Sequence, residues 1–189
     1  MAPKNSVFTP FFEENSAFRY FIGQNWSLFA PPPKDNKKLY YTFYRKNSTE
    51  TRTFEVLESL LKLKISNAPF NSSESVRDFI LSNSASNVIW WSENYFKVEH
   101  EKSDEHFSEE EALTQKTEFI ESAYHFQMLK SYAVLVAKEH NISLDDYDFS
   151  FRLAKIDIPD YEDRKKLMDE EYVFEEHPVF ESEKFSLEP

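Results

Sequence analysis

The stretch SEEEALTQKTEFIESAYHFQMLKSYAVLVAKE, residues 108–139, carries the reading that decides the fold class. Ser108 and Glu111 stand in capping-box order, so the serine hydroxyl can accept a backbone N–H while the glutamate reaches back to the serine's own. Glu109, Glu110 and Glu111 fill the first turn, where the helix dipole favours negative charge. Beyond them Phe119, Ile120, Ala123, Phe126, Ala133, Val134 and Ala137 recur at three- and four-residue spacings. That periodicity predicts one long amphipathic helix over about 109–139, with His125 inside it and His140 at its carbonyl end.

Strand patterns flank this helix on both sides. Phe149, Phe151 and Leu153 alternate with Ser150, Arg152 and Ala154, the period of a half-buried strand. Upstream, Leu39–Arg45 and Thr51–Val56 are dense in β-branched and aromatic residues and enclose a polar turn, which predicts a hairpin. Leu57, Leu60, Leu61 and Ile65 suit a short helix leaving its second strand. Ser72 or Ser73 can cap a helix that places Val76, Phe79 and Ile80 on one side. Val88–Trp91 and Tyr95–Val98, split by Ser92-Glu93-Asn94, read as a second hairpin. A first helix is expected from Pro10 to Ile22, capped by Thr9 and ended at Gly23, and a short charged helix over 160–171. The expected architecture is therefore α+β: a single domain, 1–171, of antiparallel hairpins packed on a long central helix, then an acidic, Phe-containing arm, 172–189, packed or mobile.

Composition removes several chemistries. The chain has no Cys, which excludes disulfides, thiolate metal sites and cysteine nucleophiles. Its single Gly excludes phosphate-binding and dinucleotide loops and the serine-hydrolase elbow, all of which need several. Residues 1–10 show no apolar run of signal-peptide kind, and no stretch is apolar enough for a membrane span, so a cytoplasmic protein is expected. The net charge of −12 is unevenly spread. Residues 1–98 carry 12 Lys and Arg against 9 Asp and Glu, whereas residues 99–189 carry 10 against 25. Such a field repels nucleic-acid phosphates from the C-terminal half and attracts basic proteins.

The candidate residues follow from that division. His100 and His106, set among Glu101, Asp104 and Glu105, are the best metal-ligand constellation, the core of a metal-dependent enzyme reading. Their spacing of six suits neither one helical face nor a known ligand pattern, so neither metal nor other cofactor is expected. Trp26, Tyr40, Tyr41, Tyr44, Trp90, Trp91, Tyr95 and Phe96, with Lys34, Lys37, Lys38, Arg45 and Lys46, offer a stacking platform for single strands or, alternatively, core and protein-interface anchors. The acidic segments offer a partner surface: Asp145, Asp146, Tyr147 and Asp148; Asp160 and Asp163; Asp169, Glu170, Glu171 and Tyr172.

In profile the chain resembles bacterial immunity proteins that neutralise toxic nucleases, being small, acidic and without catalytic motifs. The resemblance implies a non-catalytic, protein-binding inhibitor of a basic partner such as a nuclease toxin. The alternative is an adaptor or accessory subunit joined to a complex through the Pro10–Ile22 segment or the C-terminal arm.

Overall fold

In a computed structural model the residues described are 35–100, 109–158 and 174–186. All of them belong to one compact unit. The expected helices at 10–22 and 160–171 lie outside these residues. In chain order the elements are β1 (Asp35–Arg45), β2 (Thr51–Glu55), α1 (Leu57–Ser66), α2 (Ser72–His100), α3 (Glu109–Ser122), α4 (Tyr124–Glu139), β3 (Tyr147–Asp157) and β4 (Glu176–Glu181). The fold is α+β, with an antiparallel sheet in the order β2-β1-β3-β4.

The sheet follows from the alternation in β1 and β3. Leu39, Tyr41 and Phe43 pair with Leu153, Phe151 and Phe149, and all six side chains are fully buried on one face. Asn47 takes the left-handed conformation in the β1–β2 turn (φ 59°), a region asparagine tolerates better than most residues. β4 lies on the outer edge of β3, where Pro178 removes no needed donor. The chain then stays zipped to β3: Ser182 N–H donates to the Phe151 carbonyl at 2.9 Å, and Phe149 and Phe185 exchange backbone bonds at 2.9 and 2.7 Å. Phe180 and Phe185 thereby reach the Phe126 ring, each with centroids 6.0 Å away.

Two expected elements differ. The second hairpin does not form, because residues 88–98 continue α2, the longest described helix at 29 residues. Leu81, Ala85, Val88 and Ile89 supply a buried helical stripe, and Ser92-Glu93-Asn94 contains no Gly or Pro to turn a strand. The Ser92 hydroxyl and the Asn94 amide instead donate to the carbonyls one turn back, at 2.8 and 2.9 Å.

The helix expected over 109–139 is two helices, interrupted at Ala123, whose backbone is extended (φ −69°, ψ 141°). Ile120 and Phe126 are both buried, yet a six-residue separation turns them about 120° apart on an unbroken helix, more than one narrow stripe covers. The break resolves that conflict. After it, Phe126, Leu129, Ala133, Val136 and Ala137 are all buried in the core, while Phe119 and Val134 of the expected stripe are exposed. α4 ends with Asn141 left-handed (φ 54°) and Ile142 N–H bonded to the Ala137 carbonyl at 2.8 Å, a Schellman closure with buried Ile142 as its apolar contact.

Candidate partner-binding surface

The acidic turn before β3 is tied to the β1–β2 hairpin. Lys46 donates its backbone N–H to the Asp146 carbonyl at 2.8 Å and its ammonium to the Asp145 carbonyl at 2.9 Å. Asp148 lies 3.8 Å from the same ammonium and accepts the Ser186 hydroxyl at 2.5 Å. Asp145 and Asp146 keep exposed carboxylates. Tyr147, expected on the binding surface, is 7% exposed and packs in the core, its hydroxyl donating to Glu50 at 3.2 Å. Strand alternation is the reason: Phe149 and Phe151 face the core, and Tyr147 lies two residues before them. Glu50 also binds Arg52 and Arg45, which hold its carboxyl below the usual range. This corner is therefore partly neutralised. Asp160, Asp163, Asp169, Glu170, Glu171 and Tyr172 lie outside the described residues.

Among the described residues, most cations elsewhere in the second half sit against rings. Lys116 lies over Phe96 at 5.4 Å, Lys130 over Phe185 at 4.0 Å, Arg152 over Tyr40 at 4.7 Å and Lys184 over Tyr44 at 4.1 Å. Such contacts are worth about 0.5–1 kcal/mol at exposed sites, enough to hold a long side chain in place. Lys155 is taken by Glu93 at 2.7 Å and Asp35 at 3.6 Å. Glu110, Glu118, Asp145, Asp146, Glu175, Glu181 and Glu183 are exposed and enter no ion pair with another described residue. Glu121, partly buried and facing Glu183, is pushed above the ordinary carboxylate range, first by burial and then by that repulsion, with Lys130 pulling the other way.

The solvent-side face of the sheet carries a closed polar network. Tyr40 donates to Glu176 at 2.6 Å, and Arg152 binds the same carboxylate at 3.1 Å while covering the Tyr40 ring. Burial and that hydrogen bond push the Tyr40 phenol well above its usual value, so it acts as a donor and not as a base. His125 reaches the Ser84 hydroxyl at 3.5 Å, but Ser84 is buried and no substrate could approach it as a nucleophile. His140, the C-cap of α4, stacks on Phe54 at 3.8 Å. His177 lies 3.4 Å from Asp157. Among the described residues no group of three metal-ligating side chains converges. The side chains of His100 and His106 lie outside them.

The aromatic set proposed as a stacking platform is dispersed. Trp26 and Lys34 lie outside the described residues, Tyr41 and Tyr95 are core, and Tyr40 and Tyr44 are covered by cations. Trp90, Trp91 and Phe119 form a separate ladder across α2 and α3, each ring contact at 4.7 Å. Sequence reasoning missed the outer ridge of α2. Val76, Phe79 and Ile80 do share one side, but that side faces solvent, at 59%, 72% and 37% exposure, in line with Trp90 at 48%.

No described helix is long and apolar enough to cross a membrane. Comparison with protein-family models, curated proteins and solved structures finds no match for this chain.

Proposed function

We propose that this chain is a non-catalytic, acidic protein-binding module that neutralises a basic partner such as a toxic nuclease. The observation that carries the reading is the set of exposed carboxylates that enter no ion pair with another described residue, while Lys116, Lys130 and Lys184 lie over aromatic rings. A nuclease holds phosphates with a basic site, and a protein that presents carboxylates there competes for that site and is steered to it at long range.

The test is association kinetics with the captured partner across a salt series. Association should slow several-fold between low salt and about 0.15 M, where the Debye length is about 8 Å, while dissociation changes less. A partner with an acidic or neutral contact surface, or an association rate indifferent to salt, refutes the reading.

A further inference from the structure

We draw no further inference here: the strongest candidate, the exposed apolar stripe of Val76, Phe79 and Ile80 on the outer side of α2, is an unpartnered face, and nothing in the structure shows what covers it.

Discussion

Replacing Phe126 by Ala tests whether α4 is the element that joins the two layers. Its side chain is 1% exposed, and its ring meets Phe151 of β3 at 5.1 Å and Phe180 and Phe185 beyond it at 6.0 Å each. Truncating a buried Phe costs about 3–5 kcal/mol. Phe151 is held by its register with Tyr41 and cannot move into the space, whereas half-buried Phe180 and Phe185 can settle toward it. The expected loss is therefore toward the lower part of that range, about 3–4 kcal/mol, a large share of the roughly 5–15 kcal/mol a domain has. In urea, with a slope of about 2 kcal/mol/M, the midpoint should fall by about 1.5–2 M. Phe79→Ala, on the solvent side of α2, should change stability by less than about 0.5 kcal/mol. A Phe126→Ala loss below about 1 kcal/mol would refute the packing, and a Phe79→Ala loss of similar size would show that the ridge is covered within the chain itself.

Three further expectations concern single contacts. Tyr41→Phe removes the hydroxyl that donates to the Leu129 carbonyl at 2.7 Å and should cost about 1 kcal/mol in chemical denaturation; no loss would mean that water or another donor already serves that carbonyl. Ala123 begins α4 without a side-chain cap, so Ala123→Asp should raise stability by about 0.5–1 kcal/mol, and a lowered melting temperature would contradict the break placed there. Glu58 is held down to about 2, against an ordinary 4.5, by Lys38 and then Lys62. A carboxylate depressed in the folded state contributes stability above its unfolded value and loses it as pH falls through the folded one. The stability gap between wild type and Glu58→Gln should thus close between about pH 4.5 and about 2; it will be small, since the side chain is half exposed. A gap constant across that window would show that the ion pair contributes nothing.

The parts of the fold legible in the sequence are those where a single period decides. β1 and β3 alternate cleanly, so their inward sets, Leu39, Tyr41 and Phe43 against Phe149, Phe151 and Leu153, are visible before any partner strand is known. α2 is legible only in part because Trp90, Trp91, Tyr95 and Phe96 are strand formers one by one. What keeps them helical is non-local: Tyr95 and Trp91 pack on Phe119 of α3, at 5.4 and 4.7 Å. The break at Ala123 is hidden for a related reason. Nothing in Glu121-Ser122-Ala123-Tyr124 stops a helix, and the break shows only in the extended backbone of Ala123. For the candidate surface, sequence located the acids of residues 145–148 but not that Tyr147 points inward or that Lys46 clasps the turn. An apolar stripe such as Val76, Phe79 and Ile80 reads as core in any sequence, since periodicity reports that a helix has a face and not which way it points.

The charge asymmetry and the aromatic content are usually separate facts about a chain, and here one conditions the other. Net charge alone does not create an attractive surface, because exposed acids ordinarily recruit neighbouring Lys and Arg into pairs that cancel at short range. Among the described residues of the second half, four cations lie over rings. Lys130 and Lys184 lie on Phe185 and Tyr44, and Lys116 lies on Phe96. Arg152 covers Tyr40 while it binds Glu176, and the Tyr40 hydroxyl satisfies that carboxylate from the other side. A ring that holds a cation fixes its position but leaves its charge, so these contacts order the side chains without neutralising anything. Among the described residues Glu110 and Glu118 of α3, Glu181 of β4 and Glu183 after it stay exposed and enter no ion pair with another described residue. A partner gains from such a surface only if it brings positive charge to those carboxylates, since an apolar one would strand them without water or a counter-ion.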